Sequence, residues 1–179
     1  MRAGTGSPSN PVTLANMPDP NGHNHAAFPF KSQSTDKFYI VAGDEWFPWR
    51  YPGKPRPYQP RGGFHFLDFT DIDNPKEEAV YTITEAGSHN HWIKGDTLYA
   101  AYYNGGLRIV DISGDLLGDL YRQGREIAFF MTSHPEGHIP NSPNEWGTIP
   151  YKGYIFFSDM YSGLYCVRLV EKKRQRRTP

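Results

Sequence analysis

The sequence predicts an all-β fold, a partial β-propeller of about three four-stranded antiparallel units whose last unit lacks its outer strand. Three observations predict it. Short apolar runs recur between clusters of turn residues, one glycine-bearing strand is repeated in register, and no convincing helical stretch interrupts them.

The second unit is the plainest. TLYAAYY, Asn104-Gly105-Gly106 and LRIVDIS read as two strands joined by a tight glycine turn, because positive φ at the corner is open to glycine without steric penalty. HNHWI, bounded by Lys94-Gly95-Asp96, supplies a strand before this hairpin, and EIAFFMT supplies one after it. Four antiparallel strands in about 45 residues match one propeller blade. The first unit repeats the order as GHNHAAFPF, KFYIVAGDE, an insertion, GGFHFLDFTDIDNP and EEAVYTI. Gly62 to Thr70 lies over Gly105 to Ser113 with the glycine pair, the alternating apolar residues and the aspartate (Asp68, Asp111) in register. The third unit gives NEWGTIP and KGYIFFSDMYSGLYCVRL, three strands only. LLGDLYRQGRE is the single helix candidate, and its two glycines argue against it.

These boundaries divide the chain into an N-terminal stub (1–21) with a possible outer strand at Asn10 to Ala15, blades at 22–84, 87–132 and 137–170, and a basic tail (171–179). Propellers close with about four to eight blades, so the sequence is expected to be the C-terminal part of a longer propeller or a truncated gene, completed by the remaining blades or by another copy of the chain.

The segments GGFHFLDFTDIDNP, GGLRIVDIS and SDMYSGLYCVRL resemble the LVIVD-repeat β-propeller family over roughly residues 22 to 170. The resemblance implies the fold and says little about activity. More distantly, the propeller and its histidine-bearing inner strands are similar to the selenium-binding protein and methanethiol oxidase group, whose members hold a metal with channel histidines. No sequence motif places the chain in that second group.

Composition sets the outer bounds on function. Hydrophobic residues make up 37% and charged residues 21%, and 19 Lys plus Arg balance 19 Asp plus Glu, so no global field favours nucleic acid or an anionic membrane. The apolar runs are far shorter than a membrane span. The opening MRAGTGSPSNP lacks the apolar stretch of a secretory signal, which suggests a cytoplasmic protein by default and an exported one if a longer parent carries a signal. Cys166 is the only cysteine and reads as a packed strand thiol. The run EKKRQRRTP reads as a solvated basic end, and GxSxG, HExxH, P-loop and GxGxxG patterns do not occur.

Two features remain as candidate chemistry. His23-Asn24-His25 and His89-Asn90-His91 both stand where an innermost strand begins, so His23, His25, His89 and His91 are candidate ligands for copper, zinc or iron. In the third unit Glu145 and Trp146 take the corresponding place. The competing reading is structural: each histidine donates to a carboxylate of its own blade, with Asp68 and Asp111 as the nearest candidates. The second feature is the insertion WFPWRYPGKPRPYQPRGG, whose Trp46, Trp49 and Tyr51 offer stacking surface and whose Arg50 and Arg56 offer charge to a small-molecule or protein ligand. Glu45, ahead of it, is a possible acid or base. The first expectation is therefore a binding scaffold acting through its channel-mouth loops, and the alternative is a metal-dependent enzyme, plausibly an oxidoreductase.

Overall fold

The computed structural model describes residues 6–18, 23–47 and 60–170. It is an all-β protein in which three meandering sheets follow one another along the chain. The first sheet comprises β1 (Asn24–Lys31), β2 (Phe38–Asp44), β3 (Phe64–Asp68) and β4 (Lys76–Tyr81). The second comprises β5 (Ser88–Lys94), β6 (Thr97–Tyr102), β7 (Gly106–Asp111) and β9 (Glu126–Phe130). The third has three strands, β10 (Glu145–Tyr151), β11 (Tyr154–Asp159) and β12 (Gly163–Val167). No described helix is long and apolar enough to cross a membrane.

The helix candidate LLGDLYRQGRE takes another form. Leu116 and Leu120 are buried in the core of the first sheet, and the two residues between their neighbours, β8 (Gly118–Asp119), add a short parallel strand beside β4. Positive φ at Gly118 and Gly124 breaks any helical path there. In the N-terminal segment, Ser7 and Asn10 form an isolated bridge, and residues 11–18 join no strand.

The sheets stack face to face through two apolar layers. Between the first and second lie Tyr39, Val41, Phe64, Phe66, Leu98, Tyr102 and Val110, all fully removed from water. The second layer, between the second and third sheets, is smaller: Leu107, Ile109, Ile155 and Phe157, flanked by partly buried Tyr99 and Tyr165. Alternation sets this arrangement, since successive strand residues face opposite sides of a sheet.

Polar clamps fix the order. Asp96, in the turn between β5 and β6, accepts the amides of Gln33 (2.8 Å) and Ser34 (2.9 Å) and the Ser34 hydroxyl (2.6 Å), tying the second sheet to the β1–β2 turn of the first. At the opposite end, Ser88 Oγ donates to the Asp44 carbonyl at 2.7 Å.

Cys166 lies on β12 as expected of a strand residue, but its thiol is exposed rather than packed. Among the described strands no fourth member of the third sheet covers that edge.

Candidate metal site

The first strands of the three sheets, β1, β5 and β10, are neighbours, β5 lying against both of the others, and each begins with the same irregularity. In β1 the register with β2 shifts between Asn24 and Ala26, in β5 it shifts between Ser88 and His91, and in β10 between Glu145 and Gly147. Such bulges insert one extra residue, break the alternation and re-aim a side chain. Here they re-aim His25, His89 and Trp146.

Backbone pairing establishes which residues correspond. Glu45 N–H donates to the His23 carbonyl, Tyr103 N–H to the Gly87 carbonyl and Met160 N–H to the Asn144 carbonyl, at 2.8, 2.9 and 2.9 Å. His25 therefore matches His89 and Trp146, and Glu45 matches Tyr103. The two His-Asn-His tripeptides, identical in spelling, are two positions out of structural register.

The re-aimed residues converge. The His25 and His89 rings stack with centroids 4.5 Å apart, and His89 stacks on Trp146 at 5.2 Å and 13°. Glu45 faces both histidines: its Oε2 lies 3.1 Å from His25 Nδ1 and its Oε1 lies 3.8 Å from His89 Nε2. One ligand atom from each of the three residues lies within 4.8 Å of the others. Ligands bound at about 2.1 Å to one ion in tetrahedral or octahedral geometry stand roughly 3.0 to 3.4 Å apart, which the His25–Glu45 separation of 3.1 Å matches and the His89–Glu45 separation of 3.8 Å exceeds.

The outward nitrogens are also held. His25 Nε2–H donates to Asn90 Oδ1 at 3.3 Å, and His89 Nδ1–H donates to the Trp146 carbonyl. In a neutral ring each bond puts the proton on the far side and leaves the nitrogen that faces Glu45 free to bind a metal, and it also fixes the orientation of the ring. A metal ion among these groups, or a proton held between His25 Nδ1 and Glu45 Oε2 at 3.1 Å, removes the repulsion that a lone pair beside a carboxylate would bring. Burial first lowers the pKa of His89, and a positive charge on His25 lowers it further, while the bond to the Trp146 carbonyl and the charge of Glu45 partly oppose the shift; the net lowering favours the neutral ring, the form that binds a metal.

Glu45 is positioned in turn by Tyr103, whose hydroxyl donates to Oε1 and accepts Trp146 Nε1–H at 2.9 Å. Burial, then the bond to Glu45, raises the pKa of that phenol, so it remains a donor. Side-chain exposures of 31% for His25 and 23% for Glu45 leave one side of the cluster open to solvent and to further ligands.

The other candidates stand apart from it. His23 stacks on Trp46 at 5.7 Å, beside the mouth of the first sheet. His91, on the far side of the bulge from His89, turns between β2 and β3: its Nε2–H donates to the Val41 carbonyl at 3.2 Å, and burial pushes its pKa down to about 4. Glu145 points into the core of the third sheet, while its neighbour Trp146 joins the cluster. Trp49, Arg50, Tyr51 and Arg56 lie outside the described residues.

Asp68 and Asp111 serve their own turns, accepting Thr70 N–H (2.8 Å) and Ser113 N–H (2.9 Å). A carboxylate cap of the kind expected from the sequence falls instead on His65, whose Nε2 and Nδ1 each lie 3.0 Å from Asp44 and Glu77. Glu45, Asn90 and Tyr103 were not readable as partners of the histidines from spacing alone; the signal was the equivalence of Glu45 with Tyr103, each directly following a second strand.

Comparison with protein-family models, with curated proteins and with solved structures gave no match.

Proposed function

We propose that this chain is a β-propeller repeat scaffold of the LVIVD type whose inner-strand bulges hold one transition-metal ion through His25 Nδ1, His89 Nε2 and a Glu45 carboxylate oxygen. Three consecutive meanders with adjacent first strands support the propeller arrangement. The observation that carries the metal reading is the convergence of His25 Nδ1, His89 Nε2 and a Glu45 carboxylate oxygen, with Asn90 and the Trp146 carbonyl bonded to the opposite ring nitrogens.

Two imidazoles and one carboxylate with open positions suit iron(II), zinc or copper(II). When bound, the ion supplies Lewis acidity, or electron transfer if it is redox active, at the solvent-facing side of the cluster. The residues' own work is orientation. Tyr103 holds Glu45, Trp146 holds Tyr103 and flanks His89, and Asn90 holds His25. Recognition through the channel-mouth loop, the first expectation, rests mainly on residues outside those described, and Trp46 is engaged with His23.

The test is metal stoichiometry by mass spectrometry after separate equilibration with zinc, copper(II) and iron(II), using protein prepared without a histidine tag. The wild-type chain is expected to retain one equivalent of at least one ion. His25→Ala, Glu45→Gln and His89→Ala should each lose it, and Asn90→Ala should weaken affinity by about 10- to 100-fold. A chain that retains none of the ions, or variants that retain as much as the wild type, would overturn the assignment.

A further inference from the structure

Glu145, the first residue of β10, stands where the third sheet meets the second. The backbone pairing that matches Asn144 with Gly87 also matches Glu145 with Ser88. Ser88 bridges the interface before it: its hydroxyl lies 2.7 Å from the Asp44 carbonyl and 3.0 Å from the Gly63 carbonyl of the first sheet. At the next interface a carboxyl replaces that hydroxyl. It sits opposite Asp159, on the face that carries Phe157 into the apolar layer between the second and third sheets. Glu145 has no exposed surface, and neither of its carboxyl oxygens has a hydrogen-bond partner.

The residue after it holds the histidine cluster together. The Trp146 carbonyl accepts His89 Nδ1–H, and Trp146 Nε1–H donates to the Tyr103 hydroxyl, which holds Glu45. The bulge between Glu145 and Gly147 thus sets a side chain buried in the interface directly beside one committed to the cluster.

We propose that Glu145 is a pH-operated latch on the cluster: protonated, it seats the start of β10 against the second sheet and keeps Trp146 on His89 and Tyr103; ionised, it draws that start toward water and releases both. A neutral carboxyl is tolerated in a dry interface, whereas a carboxylate without hydrogen-bond donors carries a large desolvation penalty. The charges nearby do not supply the donors. Asp159 on β11 opposes ionisation, and Arg108 on β7 favours it but commits its guanidinium to the Gly105 carbonyl and Glu126. The other elements against β10 bring His89 and His91 of β5, whose pKa values burial lowers, and Tyr99, Tyr102 and Tyr103, whose pKa values burial raises. All five are neutral near pH 7 and leave the balance to Asp159 and Arg108. Control of metal binding by the latch rests on the function proposed above. The latch itself does not.

The experiment follows two groups of the metal-free chain by NMR between about pH 6 and about pH 10: the Glu145 carboxyl carbon, assigned by its absence from Glu145→Gln, and the His89 ring nitrogens. The carboxyl should titrate within this range. His89 should keep its proton on Nδ1 below the midpoint and share it between both nitrogens above, while in Glu145→Gln the Nδ1–H form should persist throughout. If that variant folds poorly, coincidence of the two wild-type midpoints carries the test, with the carboxyl assigned through bonds. A carboxyl already ionised at the lower limit or still protonated at the upper one, a His89 ring indifferent to its ionisation, or the same His89 change in Glu145→Gln would overturn the proposal. Zinc affinity of the two chains should agree within about two-fold below the midpoint and be at least about ten-fold weaker in the wild type above it. Equal affinities above the midpoint would overturn the control of metal binding. Absence of zinc binding in both chains, with the NMR transition intact, would remove the metal reading and leave the latch.

Discussion

Glu145 enters the third sheet with no exposed surface and with both carboxylate oxygens lacking hydrogen-bond partners. Burial raises its pKa well above the ordinary carboxylate range, and the adjacent Asp159, already bonded to Thr132, Asn144, Tyr161 and Ser162, raises it further. Above the unfolded pKa near 4.3 the unfolded chain releases this proton while the folded chain keeps it, so stability falls as pH rises toward the folded pKa, by at most about 1.4 kcal/mol per unit. Glu145→Gln removes that penalty. Urea titrations should find the variant more stable than the wild type at pH 7, with the difference shrinking toward pH 4. A difference independent of pH would mean that the carboxyl is ionised in the folded chain.

At the scale of elements, the bulges decide the site. A strict period of two put His89 and His91 on one face and aligned the two His-Asn-His tripeptides. The extra residue between Ser88 and His91 instead sends His89 toward β10 and His91 toward β2. A single extra backbone residue leaves no mark in composition, which is why the histidines were legible as candidates and their pairing was not. Strands were clearer. The repeated Gly-Gly at the entry to β3 and β7 has a steric reason as well as a turn reason: a Cβ on Gly63 would stand 2.4 Å from Thr82 Oγ1, and one on Gly106, the first residue of β7, would stand 2.4 Å from the Phe130 carbonyl. β8 was missed because it is two residues long and is held by the burial of Leu116 and Leu120, not by local periodicity. Gly106→Ala combines that clash with a φ of +71° and should destabilise the second sheet by more than about 1 kcal/mol, measured as a lower urea midpoint at unchanged slope. An unchanged midpoint would show that β9 yields without cost.

For the whole molecule, the unequal apolar layers set the order of local opening. The first and second sheets share a large buried core that includes Tyr39, Phe64, Phe66, Leu98 and Tyr102, whereas the third is held by the smaller cluster around Leu107, Ile155 and Phe157. Hydrogen exchange should therefore release the amides of the central strand β11 before those of β2 and β6, although all three are paired on both sides. Equal protection would make the three sheets one cooperative unit. The proposed metal site spans this boundary, since His25 and Glu45 come from the first sheet, His89 from the second, and His89 leans on Trp146 of the third. Binding an ion should thus protect β10 and β11 as well as the ligands themselves.

His25 and His89 face Glu45 through different ring nitrogens, and Asn90 and the Trp146 carbonyl hold the others. The most direct measurement is a long-range proton–nitrogen NMR spectrum of the histidine rings, recorded on the ¹⁵N-labelled chain before and after one equivalent of zinc. His25 Nδ1 and His89 Nε2 should shift to metal-bound values while the His23 and His91 nitrogens stay in place. Unmoved rings at His25 and His89, or shifts carried by His23 or His91, would contradict it.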